Sequence, residues 1–394
     1  KDMDWNFDEI IDRRGTNCVK CDLNKAIFGR EDIIPLWVAD MDFLTPKFIT
    51  EKLRERTQHS IFSYSFRDNE FYQSIIDWVE RRHNWKIKKE WICFSPGIVP
   101  ALNFSTLSYT DINDSIIIQT PVYPPFYTSV QNHNRRLVCN ELVQRDGRWE
   151  MDFDALEKQI DSTTKMIVLC NPHNPVGRAW TKEELQTFAE ICINNDLTIV
   201  SDDIHCDLTL PGNTYIPLAS INEEIAQRTV TCIAPSKTFN VAGLATSAII
   251  IPDEERRNAF LKTIQDLHIE NGNIFGTIAS TEAFKHGDEW LDALMQYIDD
   301  NAKYVCSFLN ERIPEIIPSK LEATFLMWLD CRKLGMKGKT LKDFFVWKAG
   351  VGLNEGSEFG QNGEGFMRLN IATPRAVLQQ ALLNIEKAIK QIRQ

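Results

Sequence analysis

The middle of the chain alternates short, continuously apolar runs with a helical stripe, and each run ends in polar residues. Ser115–Gln119 (SIIIQ), Lys165–Cys170 (KMIVLC), Leu197–Val200 (LTIV) and Thr229–Ala234 (TVTCIA) have the length and composition of strands. Between the second and third lies Thr181–Asn195, with Leu185, Phe188, Ala189 and Cys192 on one face and a capping box of Thr181 and Glu184 at its start. Strand, helix, strand at this spacing is a βαβ unit. Parallel strands covered on both faces are apolar throughout rather than alternating. The expected fold is therefore α/β on a mostly parallel sheet, with ligands bound beyond the carboxyl ends of the strands.

The last hundred residues read differently. Thr324–Asp330 (TFLMWLD) and Phe366–Ala372 (FMRLNIA) are strand-like. A final helix is predicted to start at Thr373-Pro374, as N-cap and first helical residue, with a stripe of Val377, Leu378, Ala381, Leu382, Ile385, Ala388 and Ile389. This predicts a second, α+β domain, in keeping with 394 residues at roughly 150 per domain.

Composition narrows the function classes. A net charge of −11 disfavours a nucleic-acid surface, which needs a basic face. No apolar stretch approaches the roughly 18 residues of a membrane span, and no apolar signal region follows Lys1, whose presence implies a native start upstream. Ten cysteines, mostly inside apolar runs, are too sparse for a disulfide scaffold. They read as reduced core residues of a cytoplasmic protein. Cys18-Val-Lys-Cys21 is a lone CxxC without a second pair at zinc spacing, and reads as incidental.

Three strand ends hold the chemistry. After KMIVLC comes Asn171-Pro-His-Asn-Pro-Val-Gly177, a stiff turn-rich loop. After LTIV comes Ser201-Asp202-Asp203-Ile204-His205, whose carboxylates need a cationic or hydrogen-bonded partner. After TVTCIA comes Pro235-Ser236-Lys237-Thr238-Phe239-Asn240. A lysine at the end of a buried strand is costly to bury, has a lowered pKa and forms imines readily. Singly, each has a plain explanation: a connecting loop, a helix N-cap carboxylate or a metal ligand, a lysine that snorkels to water. Together they bring an amide, a carboxylate and an amine to one sheet edge. Pyridoxal phosphate needs that set: an amine for its aldehyde, a carboxylate for its ring nitrogen, an amide for its phenolic oxygen.

With Pro35–Phe43 (PLWVADMDF), Thr120–Phe126 (TPVYPPF), Asn171–Gly177, Ser201–His205, Ala234–Asn240 (APSKTFN) and Met367–Ile371 (MRLNI), the chain resembles the fold-type I pyridoxal-phosphate enzymes of the aspartate aminotransferase superfamily, and within them the MalY/PatB cystathionine β-lyases. These segments span most of the chain. The resemblance implies a large cofactor domain over residues 46–289 and a smaller domain from 1–45 and 290–394.

It also implies roles. Lys237 is the Schiff-base lysine and the base at Cα; Asp202 pairs with the ring nitrogen; Asn174 and His205 lie near the phenolic oxygen; Tyr123 stacks on the ring. Gly97, Ile98 and Val99, at a helix start, and Ser236 hold the phosphate. Relatives often carry Ser or Thr three residues before the lysine and Arg eight after it. Here those positions are Ala234 and Ala245, which shifts the load to the named groups and to Tyr64 of the partner subunit in a homodimer. Arg368 clamps the substrate α-carboxylate as a bidentate fork. Trp37, Ala39 and Asp40 line the substrate entrance. The implied reaction is β-elimination from cystathionine or cysteine, giving a thiol or sulfide, pyruvate and ammonia. An aminotransferase on the same fold, and a regulatory scaffold that binds a transcription factor, are the alternatives.

Overall fold

The computed structural model describes residues 5–394. Seven strands form the main sheet: β1 (Ile92–Ser95), β2 (Ser115–Thr120), β3 (Arg136–Glu141), β4 (Thr164–Cys170), β5 (Thr198–Asp202), β6 (Thr229–Ile233) and β7 (Ser247–Ile250). Their order is β1-β7-β6-β5-β4-β2-β3. Neighbours from β6 to β3 pair in parallel, whereas β7 runs antiparallel to both β6 and β1. All four apolar runs of the sequence are strands of this sheet, and β2, β5, β6 and β7 are buried along their whole length. That is the signature of a sheet covered on both faces.

The covering helices supply two separate cores. Against one face lie α3 (Ile98–Tyr109) and α6 (Glu254–Asp266), with Leu102, Phe104 and Phe260 packed on Ile116, Val168 and Val200. Against the other lies α4 (Lys182–Asn194), with Leu185, Phe188 and Cys192 packed on Ile167 and Ile199. The predicted capping box is formed in both directions: the Thr181 hydroxyl accepts from Glu184 N and the Glu184 carboxylate accepts from Thr181 N.

The C-terminal third builds a four-stranded antiparallel sheet, β8 (Ile317–Pro318), β9 (Leu326–Asp330), β10 (Asn354–Glu355) and β11 (Phe366–Asn370), in the order β8-β9-β11-β10. It shares its largest core with α1 (Lys47–Thr57), α2 (Asn69–His83), α7 (Ile274–His286), the 25-residue α8 (Asp288–Arg312) and α9 (Arg375–Ile392). Between β6 and β7 stands a single helical turn, α5 (Pro235–Thr238).

Two boundaries differ from expectation. Thr324 has a left-handed backbone and its hydroxyl accepts from Leu326 N, so a turn precedes β9. The last helix is capped by Pro374, not by Thr373, whose buried hydroxyl makes no bond; residue 374 already has the extended backbone of a cap. Its stripe is buried as expected, except for the half-buried Val377.

Thr181→Ala should lower stability in urea unfolding by about 1 kcal/mol, while Thr181→Ser, which keeps the capping oxygen, should restore most of it.

Candidate active site

The sheet register decides where the chemistry gathers. Asp202 closes β5 directly between Cys170, the last residue of β4, and Cys232 near the end of β6. The chain beyond those ends turns over the same edge, and a cavity of about 200 Å³ opens there. Tyr123, Asn174, Asp202, His205, Ser236 and Lys237 line it, as do Ala39 and the helix start at Gly97, Ile98 and Val99. Residues far apart in sequence thus meet where the strand ends were expected to place them.

Lys237 stands on α5 with its Nζ 2.7 Å from the carbonyl oxygen of Ala39, to which it donates. Burial, and then the nearby Arg368 cation, lower its pKa from 10.5 to about 8, against the opposing pull of Asp40 and Asp202. The amine therefore loses its proton far more readily than an exposed lysine, although the protonated form still predominates at pH 7.

Asp202 is buried and accepts one bond, from Ile204 N at 3.2 Å. Burial raises its pKa to about 7; the Ile204 N–H and the Lys237 charge only partly offset that. Among the described residues it has no ion-pair partner. Asp203 points elsewhere: it accepts from the hydroxyls of Ser201 and Tyr215 and is part of the packing behind the site. His205 is buried with its Nδ1 unpartnered, and burial lowers its pKa to about 3, so the ring is neutral. Tyr123 is kept as the phenol, because burial raises its pKa.

Arg368 lies in the middle of β11, buried and without a carboxylate partner among the described residues. Nη1 donates to Asn174 Oδ1 at 3.1 Å, and Nη2 donates to Trp37 O and Asn354 Oδ1, each at 2.9 Å. Nε has no partner. A buried guanidinium held only by neutral oxygens, with a free N–H, is a waiting anion site.

Other predicted residues are placed differently. Trp37 is outside the cavity lining: its ring packs on Phe28, and its contribution is the carbonyl that holds Arg368. The Asp40 carboxylate is engaged by Arg13 at 2.5 Å and by Lys20 at 3.3 Å, so it acts on the site only through its charge. Tyr64 is 97% exposed and far from any lining role within this one chain. Ile204, Cys170, Thr246 and Asn354 were missed. The first three line the cavity, and Asn354 reaches Arg368 from a two-residue strand. Thr246 sits nine residues after Lys237, past the left-handed Ala245, and had no motif to announce it.

The metal-ligand reading of Asp202 and His205 finds no grouping there. Among the described residues, the set with ligand spacing is His83, Cys206 and Asp207.

Residues 31–385 match the family described as aminotransferase class I and II. The chain is 41% identical over 385 residues to cystathionine β-lyase PatB of Bacillus subtilis, covering 98% of this chain and 100% of the relative. The chain belongs to the aminotransferase class I and II family. Within it, the chain is a MalY/PatB-type, pyridoxal-phosphate-dependent C–S lyase. Its fold superimposes on cystalysin from Treponema denticola, which contains pyridoxal 5'-phosphate, with a TM-score of 0.96 at 36% identity, covering 99% of this chain and 100% of that one. A pyridoxal-phosphate-bound putative aminotransferase from Clostridium difficile 630 superimposes with a TM-score of 0.96 at 39% identity, covering 98% and 100%.

The donor set fits that cofactor. A buried carboxylate lacks a cation, an amine of lowered pKa faces it, and the 12-residue α3 opens into the cavity at Gly97 with no side chain capping its first N–H groups. The hydroxyl-bearing Ser236 and Thr246 line the same cavity.

A carboxylate whose folded pKa is about 7 against 3.8 for the free group destabilises the fold increasingly from about pH 4 to 7, and by a constant amount above. Asp202→Asn should therefore raise the melting temperature of protein stripped of cofactor more at pH 8 than at pH 4. The same variant should lose most of the stabilisation that added pyridoxal phosphate gives the wild type.

Proposed function

We propose that this protein cleaves the C–S bond of an amino acid bearing sulfur on Cβ, by β-elimination, with Lys237 as both the attachment point of pyridoxal phosphate and the base at Cα. The observation that carries the reading is the placing of a largely buried amine of lowered pKa close to a buried carboxylate that lacks a cation, beside an arginine that lacks an anion among the described residues. When bound, the cofactor supplies an electron sink for the pair of electrons left at Cα.

The residues of the chain do the rest. The Arg368 fork takes the substrate α-carboxylate, and the three neutral oxygens that hold it leave its charge uncancelled. Asp202 offers its carboxylate to a protonated ring nitrogen, which lowers the cost of its own burial. Asn174 accepts from Arg368 through Oδ1 and lines the same cavity, so its NH2 group would be available to donate to the phenolic oxygen of the bound cofactor. Lys237 would hold the cofactor aldehyde and, in its unprotonated form, would accept the Cα proton on Nζ; its lowered pKa makes that form easier to reach than in an exposed lysine. His205 stays neutral and adds hydrogen-bonding capacity without charge. The thiol or thiolate departs from Cβ, and the three-carbon enamine hydrolyses in water to pyruvate and ammonia.

Cystathionine and cysteine are the proposed substrates, giving homocysteine and sulfide respectively. Cystathionine is what the name of the PatB relative specifies. The proposed assembly is a homodimer. Ile61, Phe62, Tyr64 and Phe66 are all exposed in one stretch of the chain, which is an apolar segment suited to a second copy and able to bring Tyr64 of the partner subunit to the phosphate end of the cavity.

With cystathionine and no keto acid, the wild type should release pyruvate and thiol over many turnovers. A halt after one turnover with the cofactor aminated would instead identify an aminotransferase. Lys237→Ala should lose at least about 100-fold in turnover. Arg368→Lys, which keeps the charge but not the fork, should mainly raise KM, by about tenfold.

A further inference from the structure

Lys237 sits on a helix of only four residues. One turn has no propagating stability of its own, so its orientation is set by what it is tied to. Two ties are present. After the turn, Asn240 binds the 39–43 segment, accepting from Met41 N at 3.1 Å and donating to Met41 O and Phe43 O at 2.9 Å. On the turn itself, the hydroxyl of Thr238, the residue beside Lys237, donates to Asp207 Oδ2 at 2.8 Å.

Asp207 is no ordinary buried carboxylate. Its other oxygen accepts from Trp78 Nε1 at 2.9 Å and lies 2.7 Å from His83 Nε2, both on α2. A carboxylate only accepts, so the histidine nitrogen facing it carries the proton. Burial alone would raise the carboxyl pKa, but the bonds from His83, Trp78 and Thr238 outweigh it and hold the group below the usual range. His83 is itself packed edge-on against Tyr215 at 4.9 Å, and Tyr215 donates to Asp203 next to Asp202. The metal-like spacing of His83, Cys206 and Asp207 therefore has another explanation: the carboxylate gathers donors from α2 and α5.

We infer that Asp207 is a positioning residue for the reaction: held by Trp78 and His83 on the rigid α2, it fixes the turn that carries Lys237 through Thr238, and so keeps the Lys237 amine buried against Ala39 O. This rests on the proposed role of Lys237, but it makes a claim about the amine that is independent of turnover. If the turn loosens, the amine is less desolvated and its pKa rises from about 8 toward 10.5. The charged groups facing that amine, Arg368, Asp40 and Asp202, are untouched by the substitutions below.

The test uses the full chain freed of cofactor by hydroxylamine dialysis. Acetylation of Lys237 by acetic anhydride is followed against pH by peptide mass spectrometry, with the exposed Lys86 as internal reference. Thr238→Val and Asp207→Asn should move the Lys237 midpoint upward by about half a pH unit or more. Thr238→Ser, which keeps the hydroxyl, should keep the wild-type midpoint. In the reconstituted enzyme, Thr238→Val should lower kcat about tenfold with KM within about twofold, and Thr238→Ser should recover it. An unchanged midpoint in Thr238→Val overturns the inference, whatever turnover does. A shifted midpoint in a chain whose wild type eliminates no thiol would uphold it and sink the lyase reading instead.

Discussion

The site depends on charges buried without their counterparts. Asp202 and Arg368 are buried and Lys237 largely so, the acid and the amine at the carboxyl edge of the main sheet and the arginine on β11 of the smaller one, and none is paired with another in a direct ion pair. Desolvation pushes the lysine and the arginine toward neutrality and the aspartate toward protonation. Such an arrangement is unfavourable to the protein alone and becomes favourable once a ligand supplies a cation for Asp202 and anions for Arg368 and the helix start. A single ligand set meeting all three would have to be polyfunctional and of matching span, so the proposed reading draws on the three groups together rather than on any one of them.

The scaffold sustains this by fixing backbone where it withholds ion pairs. Lys20 is fully buried and bonds Asp42, and with Arg13 it holds Asp40 and Asp42 in a four-residue network. That network pins the segment whose Ala39 carbonyl meets Lys237, while Asn370 clamps the same segment by donating to Val38 O and Asp40 O. The charge of Asp40 pulls the Lys237 pKa up as burial pulls it down, so the N-terminal segment sets both the place and the basicity of the amine. Asp40 contributes electrostatically from outside the cavity, with its carboxylate occupied.

What was legible in the sequence follows the range of the forces involved. Strands buried on both faces leave unbroken apolar runs, so β2, β4, β5 and β6 could be read directly, and residues at their carboxyl ends inherited a location. The antiparallel β7 was not legible, since SAII does not state its direction. Asn354 acts from a two-residue strand, and Thr246 from a turn set by the left-handed Ala245; neither leaves a periodic trace. Trp37, a large aromatic in a telling motif, packs its ring on Phe28 and presents its backbone carbonyl to Arg368, a contact that its side-chain type does not announce. The CxxC was a spacing without a partner. The residue of consequence lies between its cysteines, at Lys20, and only the tertiary contact with Asp40 and Asp42 reveals it.

The adjacent acids Asp202 and Asp203 show how environment, rather than residue type, assigns function. Both are fully buried and burial raises both to about 7. Asp203 receives two hydroxyl donors, from Ser201 and Tyr215, and its acceptor capacity is spent inside the protein. Asp202 receives one backbone N–H and keeps the rest of its capacity for the cavity. The strand pleat sends successive side chains to opposite faces, so one acid is sealed into the packing beside Tyr215 and His83 while its neighbour is left with a partner still to be supplied. The donors from Ser201 and Tyr215 still leave Asp203 at about 7, so what separates the two acids is not the size of the burial cost but where the acceptor capacity points: into the packing for Asp203, toward the cavity for Asp202.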